Sequence, residues 1–92
     1  MDTATKDKKA IITMHVKIYA PFIVYFDGPA ASLSGMNDTG PFDILPGHKN
    51  FMSLLNLGLI TVRRTGQPDF VIKITEGLMH VKADMVTVFL AG

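Results

Sequence analysis

Apolar and polar residues alternate with a period of two along most of the sequence from residue 10 onward. In the first such segment Ile12, Met14, Val16 and Ile18 are apolar, whereas the three residues between them are polar. This alternation is typical of β-strands that bury one face. The pattern predicts strands over residues 10–19, 22–26, 30–34, 42–45, 59–64, 70–75, 78–82 and 86–90.

Glycine, proline and aspartate residues separate these segments and predict the turns. Residues 27–29, 37–40, 46–47 and 65–69 are rich in turn-forming residues. Residues 51–55 satisfy both strand and helical spacing and are too few to decide between them. No candidate helix of about 12 residues is present, and short strands at this spacing predict an all-β fold. We therefore expect an antiparallel β-sandwich, or a barrel, of about ten short strands.

Length and charge indicate one small domain with a short polar lead-in. The chain has 92 residues and no cysteine, which excludes thiolate chemistry and zinc–thiolate sites. Residues 1–9 carry three lysines and two aspartates and predict a disordered tail, and residues 10–92 predict the sandwich domain. The remaining charges, six positive and six negative, cancel. A neutral domain argues against nucleic-acid binding, which needs clustered Lys and Arg.

The chain is unusually poor in charge. Charged residues make up 18% of it, against about 25% in an average soluble domain. The longest apolar run, residues 21–26, is far shorter than the roughly 20 residues of a membrane span, so we expect no direct membrane insertion. Ile11, Tyr19 and Leu78 are apolar in the outward phase of their strands. Together with the low charge, they predict an apolar surface patch that a partner covers.

Residues that carry chemistry are dispersed along the chain. His15 and His80 lie in the outward phase of strands and His48 follows a turn, without the spacing or acidic neighbours of a metal site. The serines and glycines form no nucleophile elbow and no phosphate-binding loop. Arg63-Arg64 is typical of a solvated hairpin tip. We expect no catalytic residue, no metal and no cofactor.

One segment is distinctive enough to suggest a family. Residues 40–48, Gly-Pro-Phe-Asp-Ile-Leu-Pro-Gly-His, resemble the G-x-F-x-I-L-P-G-H core of the epsilon subunit of F-type ATP synthases, called delta in mitochondria. Other segments resemble that family in the same order: residues 15–21 its V-x-I-V-T-P strand, 25–30 its x-G-x-A step, 54–60 its L-x-x-G-x-I segment, 76–81 its G-G-F-L-E-V segment and 86–91 its V-T-V-L-A strand. The resemblance spans residues 14–91.

The resemblance implies the family's ten-stranded sandwich and a non-catalytic role in the rotor. In that family the domain binds the foot of the central-stalk gamma subunit and the polar loops of the c-ring, and helps couple proton flow to ATP synthesis. It implies a cytoplasmic, peripheral position on the inner face of the bacterial plasma membrane. The matching positions are Asn37, Asp38, Thr39 and Gly40 for the loop near the c-ring, and Pro46, Gly47 and His48 for the turn near gamma.

Glu76, Gly77 and Leu78 match a further candidate contact, the segment in which the family usually has two glycines. Glu76 places a charge where a bare backbone is expected. Residues 51–52, Phe-Met, replace the commoner A-P-L that follows the histidine. Full-length members continue into a two-helix hairpin that regulates ATP hydrolysis, whereas this sequence stops at Gly92. We therefore expect neither the hairpin nor ATP binding by it.

Two other functions stay open at this stage. The chain is alternatively a stand-alone protein-interaction module on the same sandwich, outside an ATP synthase, in line with Glu76 and with the missing hairpin. The genes that lie beside its own would discriminate, because a rotor subunit belongs next to the catalytic beta subunit. A small metal-dependent enzyme that uses the histidines is the third reading, and stoichiometric zinc or iron in the purified protein would support it.

Overall fold

The computed structural model describes residues 13–91 and contains nine β-strands and no helix in that range. The strands are β1 (Met14–Ala20), β2 (Ile23–Ala30), β3 (Ser32–Asn37), β4 (Gly40–Ile44), β5 (Phe51–Leu55), β6 (Gly58–Arg64), β7 (Gln67–Ile74), β8 (Gly77–Lys82) and β9 (Met85–Leu90). This architecture confirms the all-β prediction. The predicted tail, residues 1–9, and the predicted start of the first strand, residues 10–12, lie outside the described residues.

The strands form two sheets that pack face to face, a sandwich and not a barrel. The order is β2-β1-β9-β8-β5 in the five-stranded sheet and β4-β3-β6-β7 in the four-stranded sheet. Neighbouring strands are antiparallel, as predicted, except that β1 and β9 run parallel, with Val16 opposite Val86. Parallel strands need a long crossover connection. Here the connection is the whole chain between β1 and β9, which also builds the second sheet.

The core lies between the sheets and is built from alternate residues of each strand. In β1, Val16 and Ile18 are fully buried, whereas His15 and Lys17 face the other way. The other strands add buried residues with the same period, among them Leu33, Ile44, Leu55, Ile60, Val62, Met79, Val81, Val86 and Val88. Burying one such side chain stabilises a fold by about 1.5–3 kcal/mol. Burial of the alternate apolar side chains seen in the sequence is therefore the main source of stability.

Aromatic pairs close the two open sides of the sandwich. On one side Phe26 of β2 packs against Phe70 of β7, with ring centroids 5.1 Å apart. On the other side Phe42 of β4 and Phe51 of β5 meet edge to face, with ring centroids 6.5 Å apart. All four residues belong to edge strands and pack against the buried core. Each pair therefore joins an edge of one sheet to an edge of the other and shields the core from water.

Strand β2 differs from the prediction because it continues through the expected turn. Residues 27–29 pair with residues 15–17 of β1, and the chain bends only at Ala31. The predicted turn at residues 27–29 is therefore wrong. Proline lacks the N–H that an inner strand must donate, but β2 is an edge strand, where Pro29 is tolerated. The ambiguous residues 51–55 form a strand, β5.

The connections between strands lie alternately at two opposite ends of the sandwich. One end, called the apolar end below, holds the β1–β2, β3–β4, β5–β6 and β7–β8 connections and Ala91. The far end holds the other four connections. Backbone hydrogen bonds attach a connection to the four-stranded sheet at each end. Asn56 N–H donates to Met36 O at 3.0 Å at the apolar end, and Ala31 N–H donates to Arg63 O at 2.7 Å at the far end.

The buried core predicts that replacing one leucine by alanine destabilises the domain strongly, whereas replacing another changes its stability very little. Leu33 of β3 is 0% exposed, whereas Leu59 of β6 is 56% exposed. Leu33→Ala should lower the free energy of unfolding by about 2–5 kcal/mol, because it leaves a cavity in the core. Leu59→Ala is the matched control and should change it by less than about 0.5 kcal/mol. Urea denaturation measures both, and equal losses would contradict this description of the core.

Candidate functional site

The ten residues predicted to contact partners form three segments, which the fold places at two opposite ends. Residues 37–40 form the β3–β4 turn at the apolar end. Residues 76–78 lie at the same end, since Gly77 is opposite Leu55 at the end of β5. Residues 46–48 lie in the β4–β5 connection at the far end, about 17 Å away along β8 at about 3.3 Å per residue. The structure brings the first two segments together and separates both from the third.

Side-chain hydrogen bonds hold the β3–β4 turn in one conformation. Asn37 Oδ1 accepts hydrogen bonds from the backbone N–H of Thr39 at 3.0 Å and from Thr39 Oγ1 at 2.7 Å. Asn37 Nδ2 donates to Ser53 Oγ at 3.1 Å, and Asn56 Nδ2 donates to Asp38 Oδ1 at 2.9 Å. These bonds attach the turn to β5 and to the β5–β6 connection. The turn is therefore a fixed, polar feature of the apolar end.

The β4–β5 connection is attached to the β8–β9 turn at the far end. Gly47 N–H donates to Asp84 Oδ1 at 2.7 Å. The half-buried His48 ring packs edge to face on Phe51, with ring centroids 5.6 Å apart. Ala83 and Asp84 both have positive φ, 50° and 62°, which is uncommon for residues other than glycine. The β8–β9 turn thus presents the Asp84 carboxylate to Gly47, and residues 46–48 help to hold this end together.

Gly77 lies where β8 and β9 come very close. A Cβ atom at this position would be 3.0 Å from the backbone oxygen of Phe89 and 3.0 Å from Leu90 Cδ2. A side chain here is accommodated only if β9 and the Leu90 side chain give way by a few tenths of an ångström. Packing therefore favours glycine at position 77, whereas the neighbouring Glu76 side chain is exposed.

Five apolar side chains form a row across the outer face of the five-stranded sheet. Val24 of β2 is opposite Tyr19 of β1, and Tyr19 is opposite Phe89 of β9. Phe89 is opposite Leu78 of β8, and Leu78 is opposite Leu54 of β5. These five residues are called the apolar row below. Tyr19 is half-buried and packs edge to face on Phe89, and the other four side chains are between 38% and 70% exposed.

The apolar row agrees with the predicted outward orientation of Tyr19 and Leu78, while Ile11, the third predicted member, lies outside the described residues. The next outward row toward the far end is mostly polar. It contains Lys17, Thr87 and His80 opposite one another in β1, β9 and β8. The apolar side chains of this face are therefore concentrated near the apolar end, although Met52 and Met85 are also exposed on it farther along.

A groove of about 590 Å³ opens beside the apolar row at the apolar end. Leu54, Leu78 and Phe89 of the row line it, and Leu57 of the β5–β6 connection lines it as well. Glu76 is the only charged residue among the described residues that line the groove. Binding clefts for small molecules have volumes of about 300–1,000 Å³. The groove therefore has room for a large apolar side chain of a partner.

The β1–β2 hairpin adds exposed apolar residues that the sequence pattern does not place on the surface. Phe22 at the turn is 101% exposed, and residues 23–25 are all exposed. An uninterrupted apolar run is typical of a strand buried on both faces. β2 is nevertheless an edge strand, so one side of it is open. The prolines at positions 21 and 29 are the signal of an edge strand that the sequence carries.

Charged side chains in the described residues make exposed pairs and no cluster of chemical groups. His15 Nε2 and Asp27 Oδ1 lie within hydrogen-bond distance between β1 and β2, and Arg63 donates to Ser34 Oγ at 2.8 Å. Exposed contacts of this kind contribute at most about 1 kcal/mol to stability. Within residues 13–91, no group of three or more His, Asp or Glu side chains is arranged to hold a metal ion. No helix in this range is long and apolar enough to cross a membrane.

Residues 13–91 match the family model of the ATP synthase delta/epsilon chain β-sandwich domain. The match includes all nine strands of the fold. The chain belongs to this family, and the resemblance carried by residues 40–48 and their flanking segments is confirmed.

Relatives of known identity are ATP synthase epsilon chains. The chain is 33% identical over 81 residues to the epsilon chain of Prochlorococcus marinus (strain MIT 9303), which covers 88% of this chain and 60% of the relative. It is 34% identical over 77 residues to that of Synechococcus sp. (strain WH7803), covering 84% of this chain and 56% of the relative. The chain thus spans only about 60% of the length of the curated relatives it matches.

Solved structures with the same fold come from mitochondrial ATP synthases. A chain in the Euglena gracilis assembly of OSCP, F1 and c-ring superposes with a TM-score of 0.80 at 17% identity, covering 98% of this chain and 57% of that one. A chain in the Tetrahymena thermophila central stalk and c-ring superposes with a TM-score of 0.71 at 20% identity, covering 86% and 63%. At these identities the likeness shows the shared fold.

The close approach at Gly77 predicts a loss of stability on a very small substitution. Gly77→Ala should lower the free energy of unfolding by about 1–3 kcal/mol, because the added methyl group meets the backbone of β9. For a domain of this size, each kcal/mol corresponds to about 4–8 °C in Tm. Gly28→Ala in β2 is the matched control, because its φ is not positive and the added Cβ meets only Phe26 Cζ at 3.8 Å, an ordinary contact. Its Tm should therefore change little. An unchanged Tm for Gly77→Ala would contradict the close packing.

Proposed function

We propose that this chain is a non-catalytic central-stalk subunit of an F-type, proton-translocating ATP synthase. It binds the gamma subunit and the polar loops of the c-ring, and it helps couple proton flow through the ring to ATP synthesis. Its place is then the cytoplasmic side of a bacterial plasma membrane, on the periphery of the membrane-embedded ring. Membership of the delta/epsilon family supports this proposal, together with the surface described above.

We assign the gamma contact to the apolar row. Its five members come from all five strands of one sheet, so their relative positions are set before any partner binds. A pre-organised surface loses little conformational entropy on docking. The centre of a protein interface is typically depleted of charge, as this row is. Residues 46–48 lie beyond the start of β5 at the far end of the same sheet, so a gamma subunit lying along the outer face could reach them too.

We assign the c-ring contact to the β3–β4 turn. Asp38 and Thr39 are exposed at its tip, and Asn37 and Asn56 hold it in place. A rigid polar turn suits the polar loops of a c-ring, because few hydrogen bonds are then lost on contact. The c-ring would lie beneath the apolar end, and gamma beside the outer face.

The observation that carries the proposal is that the same residues combine two properties. The family match covers residues 13–91, and the same residues build an uncharged row on a rigid sheet. If the chain is instead a stand-alone interaction module, the apolar row binds another protein, and we expect no affinity for gamma.

Leu78→Asp tests the gamma contact. Leu78 is 39% exposed and faces outward, so the substitution should change Tm by only a few degrees. It should weaken gamma binding by at least about 1 kcal/mol, roughly fivefold, because a carboxylate enters the middle of the apolar row. Calorimetric titration of purified gamma subunit into the folded chain measures the affinity, and thermal unfolding measures Tm.

Val71→Asp is the control for this test. Val71 is 51% exposed on the outer face of the four-stranded sheet, opposite Thr61 and away from the apolar row. This variant should bind gamma as the unmodified chain does. Equal weakening by both variants, or loss of fold in Leu78→Asp, would remove the support for the apolar row as the gamma contact.

Thr39→Arg tests the c-ring contact separately. A long side chain at the exposed tip of the β3–β4 turn should block docking on the c-ring and leave gamma binding unchanged. Thr65→Arg is the matched control, because Thr65 is exposed in the β6–β7 turn at the far end. Co-sedimentation with c-rings in detergent measures the docking. Retained co-sedimentation of Thr39→Arg would place the ring contact elsewhere.

A further inference from the structure

Among the residues that the structure describes, Glu76 is the single charged residue that lines the groove. Its side chain is exposed, and no Lys, Arg or His of residues 13–91 lies within ion-pair distance of its carboxylate. The other residues that line the groove in this part of the chain are apolar or neutral. The local backbone does not explain the glutamate, because the crowding against β9 occurs at Gly77.

Any protein that covers the apolar row also reaches Glu76. Leu54, Leu78 and Phe89 belong to the row and line the groove as well. An apolar partner surface would strip water from the Glu76 carboxylate, and an ionised group moved out of water without a partner is strongly destabilised. A cation supplied by the partner offsets this cost. The charge of Glu76 therefore specifies the chemistry of whatever docks here.

We propose that the groove binds a basic amphipathic segment of the gamma subunit. An apolar side chain of that segment enters the groove between Leu54, Leu57 and Phe89, and a neighbouring Lys or Arg pairs with Glu76. This inference rests on the proposed function, because it names the chemistry of the contact that gamma makes at the apolar row. A large apolar anchor in a pocket beside a matched charge is typical of the residues that dominate binding energy.

Lys73 is the described cation that competes with this assignment. It shares with Glu76 a second, smaller cavity of about 220 Å³. Lys73 is opposite Leu59 in the register of β7 and β6, which puts it on the outer face of the four-stranded sheet. The apolar row lies on the outer face of the other sheet. Lys73 therefore contributes to the smaller cavity and is not among the residues that line the groove beside the row.

Glu76→Gln tests the inference, because it removes the charge and keeps the size of the side chain. We expect the affinity for purified gamma subunit to fall at least about 3-fold in about 50 mM salt, with slower association. The difference should shrink toward none in about 1 M salt, where the Debye length is about 3 Å. Surface plasmon resonance with the full chain measures both quantities. Asp69→Asn, which removes an exposed carboxylate of β7 near the far end, is the control with the same change in net charge.

The results separate the inference from the proposed function. Unchanged affinity of Glu76→Gln, or an equal loss in Asp69→Asn, would overturn the inference and leave docking of gamma intact. If Lys73→Gln abolishes the effect of Glu76→Gln, the cation belongs to this chain and the inference is wrong. No binding of gamma by the unmodified, folded chain would overturn the proposed function, and the inference with it.

Discussion

The parallel pairing of β1 with β9 is the contact on which the outer face of the five-stranded sheet depends. It joins the β1–β2 hairpin to strands β9, β8 and β5 from the later part of the chain. Tyr19 and Phe89 are opposite each other in this pairing, so the apolar row continues from one sheet edge to the other. Without this pair the face would divide into two pieces, neither with five apolar side chains in line. A long-range contact therefore creates the surface that a partner can recognise.

The two ends of the sandwich differ in the polarity of the residues they expose, so the domain is asymmetric along its strands. The far end is held by polar contacts such as the bond from Gly47 to Asp84, and Arg63 and Arg64 lie there at the end of β6. The apolar end carries the row, the groove and the exposed Phe22. Most of the large exposed apolar side chains of the described residues thus lie toward the apolar end.

The period of two could be read directly from the sequence, because alternation of side chains is a property of every extended backbone. The turn prediction was wrong because it depended on the position of a strand within its sheet. Residues 27–29 were expected to turn and instead pair with β1, because an edge strand accepts proline. The site was only partly visible: Tyr19 and Leu78 were recognisable by their phase, whereas the exposure of residues 22–25 depends on the missing neighbour beyond β2.

Local periodicity and the spacing of motifs such as residues 40–48 are sufficient to predict the all-β class, most of the strands and the family. The same motifs mark Glu76 as unusual. The fold, in contrast, is what brings Leu54, Leu78 and Phe89 side by side and places Glu76 at the border of the groove they line. The register between strands far apart in sequence is set by packing of the shared core, and no local pattern encodes it.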